Sequence, residues 1–169
     1  MTQPPIIRRY NPLADTMTLC RIYRLSIWEL AKGHYDLAQR RAWSSWGDDP
    51  AHMREKLVQG QTLVAERNGD IAGFAQRHPG DYINMLYVAP AHARRGVALA
   101  LLQALESSAQ AEGITQLTCH ASAVSRILFE RAGYRIRQTE YTARLGQRLV
   151  RYHMEKVAAA ATSEGISRR

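Results

Sequence analysis

The spacing of hydrophobic residues predicts helices in the first third of the chain. Between Leu19 and Leu30, apolar side chains recur three and four residues apart, which is typical of one helical face. Asp36 and Pro50 are residue types that favour helix starts, and a shorter helix is predicted after each of them. A β-rich run at residues 6–10 precedes these helices and predicts a first, short strand.

From residue 61 the pattern changes to an alternation of apolar and polar residues, which predicts strands. Asn68-Gly69 interrupts this alternation, and this dipeptide strongly favours a two-residue hairpin turn. A second glycine turn follows at residues 80–81, and an apolar, β-rich run occupies residues 82–88. Three successive antiparallel strands are therefore predicted over residues 61–88.

A long helix is predicted next. Apolar residues from Ala98 to Ala109 fall on one helical face, and Gly113 stands where a helix C-terminal cap is expected. A helix of this length is able to act as a crossover connection. The β-rich run at residues 114–119 is therefore predicted to lie parallel to the strand at residues 82–88.

The remaining pattern completes the predicted fold. Ser122 favours the start of another helix, which ends at Gly133. Residues 134–144 and 147–155 predict two long strands around Gly146. Together these elements predict an α/β (α+β) fold, in which helices flank a mixed, mostly antiparallel central sheet.

Length and composition fit one domain, which we assign to residues 1–157, followed by a small, polar and flexible tail at residues 158–169. The chain has 169 residues, and 46% of them are hydrophobic. No apolar run approaches the roughly 18 residues that span a membrane, and the N-terminal residues lack the apolar segment of a signal peptide. Two isolated cysteines, Cys20 and Cys119, do not form a disulfide framework, so a cytoplasmic location and no membrane partner are expected.

The formal net charge of +8 comes mostly from scattered arginines. Because no dense basic run is interleaved with aromatic residues, we do not expect a nucleic-acid partner. The charge favours anionic ligands in general. The six histidines show no paired spacing of metal ligands, so no metal is expected either.

A short basic turn lies between the strand at residues 82–88 and the long helix. The first turn of a helix has unpaired N–H groups and the positive end of the helix dipole, which together suit an anion. Gly96 has no Cβ to block an approaching oxygen, and Arg94 and Arg95 add positive charge. On these residues alone, an ordinary turn with solvated arginines is an equal alternative.

The order of the elements, with LYVAP, the basic glycine turn, the Leu-rich helix and FERAGY, resembles the GNAT superfamily of acyl-CoA-dependent N-acetyltransferases. The resemblance covers residues 6–156. It implies that the parallel strand pair is splayed, and that acetyl-CoA is the cosubstrate. It also implies direct attack on the thioester by the primary amine of a small-molecule or peptide acceptor, of which the small molecule is favoured. A non-catalytic domain that binds acyl-CoA as a sensor is the alternative function.

The resemblance also implies a set of residues around acetyl-CoA. The family pattern in the turn falls on residues 93–98, where Ala93 replaces the usual Gln or Arg. Val88 is expected to donate its N–H to the thioester carbonyl, whose oxygen gains charge as the amine attacks. The residues implied for the cosubstrate are Leu86, Tyr87, Val88, Arg94, Arg95, Gly96, Val97, Ala98, Ser122 and Phe129.

The catalytic groups are less well defined by the resemblance. Phe129 occupies the position of a tyrosine that often protonates the leaving thiolate, and a phenyl ring has no proton to give. Tyr134 and Tyr141 are candidates to replace it as the acid. His120, whose titration range suits proton transfer, is a candidate base; Asp81 and ordered water are the alternatives.

The acceptor is expected to enter between the early helices and the last strands. This implicates an aromatic wall with a carboxylate, formed by Trp28, Glu29, Tyr35 and Tyr141. Packing of the aromatic residues against the core is the alternative role. Many relatives dimerise through their final strands, and the long strands at residues 134–155 are compatible with a homodimer.

Overall fold

In the computed structural model, which describes residues 3–157, seven strands form one mixed sheet. The strands are β1 (Ile6–Arg9), β2 (Gln61–Arg67), β3 (Asp70–Arg77), β4 (Tyr82–Val88), β5 (Gln116–Ala121), β6 (Arg135–Arg144) and β7 (Gln147–Val157). The helices are α1 (Thr16–Leu30), α2 (Leu37–Ser44), α3 (Pro50–Leu57), α4 (Val97–Ala111) and α5 (Arg126–Arg131).

The order of strands across the sheet is β1-β2-β3-β4-β5-β7-β6. Neighbouring strands are antiparallel except β4 and β5, which are parallel and are connected by α4. The helix crossover explains this one exception, because a chain that leaves a strand through a helix returns in the same direction. The predicted fold class, a mostly antiparallel sheet with one parallel pair and flanking helices, is confirmed.

Helices bury apolar side chains against both faces of the sheet. On one face, Leu101, Leu102 and Leu105 of α4 are fully buried against residues of β2 to β5 and β7. On the other face, α1 and α3 pack around Phe74, which has no exposed surface. We call these two sides of the sheet the α4 face and the α1 face. Along a regular strand, successive side chains alternate between them.

Local capping explains where the early helices begin. The side chain of Asp36 accepts a hydrogen bond from the Gln39 amide, and Gln39 reaches back to the Asp36 amide, which makes a capping box at α2. At α3, the side chain of Asp49 accepts one hydrogen bond from the His52 amide, and Pro50 is the first residue of the helix. The predicted starts of both helices are confirmed.

Two predicted elements differ from the structure in their extent. The strand predicted at residues 114–119 lies two residues later, at Gln116–Ala121. The helix predicted after Ser122 is regular only from Arg126, with residues 123–125 in a turn before it. Ser122 still caps this start, because Ser122 and Ser125 exchange the hydrogen bonds of a capping box and the Arg126 amide donates to the Ser122 carbonyl. The predicted tail at residues 158–169 lies outside the described residues. Over residues 3–157, no helix is both long enough and apolar enough to cross a membrane.

Candidate active site

A gap opens inside the sheet where β4 and β5 part. The two strands pair only at Tyr82 with Thr118 and at Ile83 with Cys119. Beyond these two pairs, the rest of β4 and the end of β5 have no register with one another. The parallel pair is therefore splayed, as predicted, and the gap is closed at the Ile83 end and open at the Val88 end.

A β-bulge at Asn84 shapes the edge of the gap. Gln76 pairs with Met85 and Arg77 pairs with Ile83, so Asn84 is an extra residue in β4. The Asn84 side chain donates to the Oε1 of Gln76 at 2.9 Å, and Gln76 is itself fully buried. The bulge shifts the alternation of side chains, so that Ile83 and Leu86 both contact the α4 core.

The backbone of β4 presents two N–H groups to the gap. The Ala89 amide donates to the carbonyl of Ala72 on β3 at 2.8 Å. Because successive amides of a strand point to opposite sides, the amides of Val88 and Leu86 point away from β3 and into the gap. Along this edge β5 supplies no partner for them.

The open end of the gap leads to the basic turn and to α4. Arg94 and Gly96 both have positive φ, at 59° and 78°, and α4 begins at Val97. The first helical backbone bond runs from the Ala100 amide to the Gly96 carbonyl, so the amides before Ala100 have no acceptor within the helix. A Cβ added at Gly96 meets no atom within 4 Å, so the turn faces open space.

The side chains in this turn differ in exposure. The side chains of Arg94 and Arg95 are exposed. Val97, the first residue of α4, is buried, and Ala98 is half-buried. A third arginine, Arg67 at the end of β2, lies beneath the turn. Only 5% of its surface is exposed, and its Nη1 donates to the Arg95 carbonyl at 3.1 Å.

A cluster of polar side chains lies at the closed end of the gap. The Tyr82 hydroxyl is 2.9 Å from Nδ1 of His120, and Nε2 of His120 is 3.4 Å from Glu140. Arg151 pairs with the same carboxylate at 3.0 Å, and the His153 ring stacks on His120 with centroids 5.1 Å apart. Since Cys119 and Ala121 on either side of His120 are buried in the α4 core, this cluster lies on the α1 face.

The cluster fixes the protonation state of its members. Burial first, and then the Arg151 guanidinium and His153, lower the pKa of His120 below 6.5, against the opposite effect of Glu140. Burial raises the pKa of Tyr82, so its hydroxyl is neutral. Although desolvation acts to raise it, the pKa of Glu140 is lowered by Arg151 and His120. At neutral pH the cluster therefore holds a neutral imidazole between a neutral phenol and a carboxylate.

These charges select one tautomer of His120. An Nε2–H group is able to donate to Glu140, whereas an Nε2 lone pair would face a negative charge. We therefore assign the proton to Nε2, from the hydrogen-bond network. The Nδ1 lone pair then accepts the hydrogen bond from Tyr82.

The other residues implied for catalysis and the cosubstrate lie on the α4 face or near it. Phe129 is buried and packs edge-to-face on Tyr134, with centroids 5.0 Å apart. The Tyr134 hydroxyl is buried without a hydrogen-bond partner among the described residues, and burial raises its pKa well above 10. Ser122 is held in the turn before α5. Burial also raises the pKa of the Cys119 thiol to about 12, so it is not a thiolate at neutral pH.

Tyr35, predicted for the acceptor wall, joins three parts of the fold. Its hydroxyl donates to the Val150 carbonyl and accepts from the Ala123 amide, both at 2.9 Å. Its ring packs on Trp43 at 5.3 Å, and Trp43 in turn contacts Tyr87. Burial raises the pKa of Tyr87 to about 12. These aromatic side chains pack the helices onto the α1 face.

The remaining residues of the predicted wall are not brought together. Trp28 is covered by Arg40 at 5.3 Å, and the exposed Glu29 lies 3.8 Å from Lys32. Tyr141 directly follows Glu140 in β6, so it lies on the opposite face from the polar cluster. It is 56% exposed and is covered by Arg148 at 3.7 Å.

Sequence patterns identified His120 but not the side chains around it. Glu140, Arg151 and His153 reach His120 through the pairing of β5 with β7 and of β7 with β6. Arg67 reaches the basic turn from the hairpin, 28 residues earlier. The alternation of side chains in β6 and β7 could have indicated which residues of each strand share a face with Glu140. It could not have indicated Arg151 as the partner, because the register between the two strands is not visible in the sequence.

Comparisons with known proteins agree with this geometry. A family model described as "Acetyltransferase (GNAT) domain" matches residues 33–156. The uncharacterised N-acetyltransferase YafP of Escherichia coli (strain K12) is 38% identical over 128 residues, which make up 76% of this chain and 79% of YafP.

Solved structures extend the comparison to the fold. A GCN5-related N-acetyltransferase of Rhodopseudomonas palustris is 34% identical and superposes with a TM-score of 0.89, covering 93% of this chain and 98% of that one. The PaiA N-acetyltransferase of Thermoplasma acidophilum, solved in complex with coenzyme A, is 18% identical with a TM-score of 0.74, covering 92% of this chain and 99% of that one. The second likeness shows the fold alone.

The contacts of Tyr35 predict a structural role that is measurable. Tyr35→Phe removes a hydroxyl that satisfies one half-buried carbonyl and one half-buried amide, so we expect a loss of about 1–3 kcal/mol in the free energy of unfolding. Urea denaturation followed by circular dichroism measures this loss. Tyr141→Phe is the matched control, because the Tyr141 ring is exposed. Equal stability of the two variants would contradict the structural role.

Proposed function

Because this chain belongs to the GNAT family of acetyltransferases, we propose that it is an acetyl-CoA-dependent N-acetyltransferase that modifies the primary amine of a small molecule. Family membership makes the protein an acyltransferase. The cosubstrate, the acceptor class and the mechanism form the proposal. A cytoplasmic location, a single domain and a homodimer through the last strands stay predictions.

One observation supports the proposal: the gap between β4 and β5 runs from the exposed turn at Gly96 to the side chain of His120. The amides of Leu86 and Val88 line the gap, the exposed turn at Gly96 lies at its open end, and His120 lies at its closed end. This arrangement fits a molecule with a diphosphate at one end, an amide-bearing arm and a reactive group at the other. Coenzyme A has this form, and PaiA, which has the same fold, was solved with it.

Residues of the chain would hold acetyl-CoA along the gap. The amides at the start of α4, with Arg94 and Arg95 nearby, suit the diphosphate. Leu86 and Val88 suit the arm. The N–H of Leu86 lies nearer than that of Val88 to the closed end of the gap, so we assign the thioester carbonyl to Leu86 rather than to Val88. Bound acetyl-CoA supplies the activated acetyl group.

Proton transfer is assigned to Tyr82, His120 and Glu140. An amine attacks only as its free base, so the incoming ammonium must first lose a proton. The proposed relay passes this proton through the Tyr82 hydroxyl to the Nδ1 of His120, while Glu140 stabilises the resulting imidazolium. The lowered pKa of His120 keeps the imidazole free to accept at neutral pH.

The same relay accounts for the missing tyrosine at Phe129. When the amine attacks, the C–N bond forms and the C–S bond breaks, the sulfur leaves with the electron pair, and the new amide nitrogen loses its second proton to water. The proton held on His120 is then available to that thiolate through Tyr82. Tyr134 is a less suitable acid, because it lies in the α4 core. Direct attack is also supported by Cys119, whose raised pKa makes it a poor acyl carrier.

The charge of the α1 face supports a small acceptor over a basic peptide. Arg151 and Arg144 lie on this side of the last two strands, and Glu140, the carboxylate beside His120, is already paired with Arg151. A basic peptide tail is bound best by unpaired acidic residues, and the carboxylate nearest to His120 is not one of them. A compact amine that enters beside Tyr82 has no such requirement.

Release of free thiol over a panel of amines tests the proposed reaction. With acetyl-CoA, at least one small primary amine is expected to release CoA at a rate above hydrolysis, and a thiol reagent measures this release. Calorimetry with CoA, run in parallel, reports binding. If CoA binds but no amine on the panel releases thiol, the non-catalytic sensor replaces the enzyme as the best description.

Replacing His120 tests the relay. We expect His120→Gln and Tyr82→Phe each to lower kcat roughly 10²- to 10⁴-fold, because the ammonium loses its proton acceptor. The unprotonated imidazole is the active form, so the wild-type rate falls as the pH drops through the lowered pKa of His120. This acid limb disappears in His120→Gln. His52→Gln on α3 is the control, and a wild-type pH profile retained by His120→Gln would rule the relay out.

Gly96 and Gly146 form a matched pair for the turn. Both have a positive φ, at 78° and 76°, and a Cβ on either meets no atom within 4 Å. Alanine at either position is therefore strained by a similar amount, roughly 1 kcal/mol. Only Gly96→Ala places a methyl group where the diphosphate is proposed to lie, so we expect it alone to weaken CoA binding, by tenfold or more in calorimetry. Equal CoA affinity in the two variants argues against this placement.

A further inference from the structure

We propose that Arg67, from the β2–β3 hairpin, positions the diphosphate-binding turn and supplies the positive charge that Ala93 lacks. This inference rests on the proposed binding of acetyl-CoA and adds a residue that lies far from the turn in sequence. Arg67 acts through the Arg95–Gly96 peptide, so it is a positioning residue.

The first step concerns the orientation of one peptide plane. The Nη1 of Arg67 donates to the Arg95 carbonyl at 3.1 Å, which directs that carbonyl toward the protein interior. In a planar trans peptide, the C=O and the following N–H point in opposite directions. The N–H of Gly96 is therefore directed outward, where an added Cβ on Gly96 also meets only open space. Arg67 thus fixes the direction of the Gly96 N–H, which is the group proposed to donate to the anion.

The second step concerns charge. Arg67 is 5% exposed, yet no carboxylate lies within 4.0 Å of it in the part of the chain that the structure describes. Its neighbour in sequence, Glu66, pairs with Arg8 at 2.6 Å instead. A buried charge without a counter-ion is costly. A diphosphate seated on the turn would neutralise this charge through space, while Arg67 itself stays bonded to the Arg95 carbonyl.

Burial separates Arg67 from the two arginines within the turn. Arg94 and Arg95 are exposed, so water and salt screen their charges. The guanidinium of Arg67 lies beneath the backbone of the turn, where screening is weaker and the side chain is already ordered. Its contribution to diphosphate affinity is therefore expected to exceed that of either exposed arginine.

The fold explains why a hairpin residue reaches this turn. β3 is antiparallel to β4, and Gly73 near the start of β3 pairs with Val88 at the end of β4. The hairpin tip at Asn68 and Gly69 therefore lies at the same end of the sheet as the start of α4. Arg67 is the last residue of β2 before this tip.

Ligand binding by calorimetry tests the proposal with three probes: CoA, dephospho-CoA and pantetheine. We expect Arg67→Met to weaken CoA and dephospho-CoA about 10- to 100-fold, since both contain the diphosphate. Pantetheine, which lacks it, is expected to bind within twofold of wild type. Arg67→Lys keeps the charge but not the planar fork, and it is expected to recover part of the lost affinity.

Arg77→Met is the matched control. Arg77 is also 5% exposed, but it pairs with Glu112 at 2.6 Å, away from the turn. We expect it to lower thermal stability and to leave CoA affinity within twofold. Thermal denaturation of every variant identifies any that do not fold, in which case Arg67→Lys carries the test with the same three probes.

The outcomes separate this inference from the proposed function. If wild type does not bind CoA, the proposed function itself fails. If wild type binds CoA and folded Arg67 variants bind it equally well, Arg67 has no positioning role. Equal losses for CoA and pantetheine would also overturn the inference, because they would indicate a general disturbance of the gap.

Discussion

The structure depends on the interruption of backbone pairing between β4 and β5. A sheet normally satisfies the N–H and C=O groups of its inner strands, and unpaired backbone groups away from water are costly. Here the two central strands share only two residue pairs, and the amides of Leu86 and Val88 face a gap. The bulge at Asn84, held by the buried Gln76, and the crossover through α4 keep the strands in this arrangement. The proposed binding and the proposed proton transfer lie at the two ends of this gap.

Much of the fold was predictable because its determinants are local. Hydrophobic spacing, Asn68-Gly69 and the caps at Asp36 and Asp49 each act within a few residues, and the helix crossover fixes the parallel pair. The extent of α5 was not predictable in the same way. Ser122 caps it through reciprocal hydrogen bonds with Ser125, as its residue type predicts, but residues 123–125 form a turn before the regular helix begins.

The candidate site was predictable only in part, for a physical reason. Gly96 and His120 were identifiable from residue type and position, but their partners come from register across several strands. Glu140 reaches His120 through two strand pairings, and Arg67 reaches the turn through the hairpin. Tyr35 shows the opposite difficulty. An aromatic residue with a polar tip suits a pocket or a core, and only its bonds to Val150 and Ala123 distinguish the two.

The gap also divides the sheet into two mechanical units. β1 to β4 form one half and β5 to β7 the other, and across their boundary the backbone contributes only the pairs at Ile83 and Tyr82. A ligand whose arm pairs with the edge of β4 and fills the gap acts as a missing strand between them. Ligand bound in the gap then couples the two halves of the sheet, so the free energy of unfolding rises with the concentration of the ligand. In the proposed complex with CoA, the ligand would therefore stabilise the sheet at the same gap that binds it.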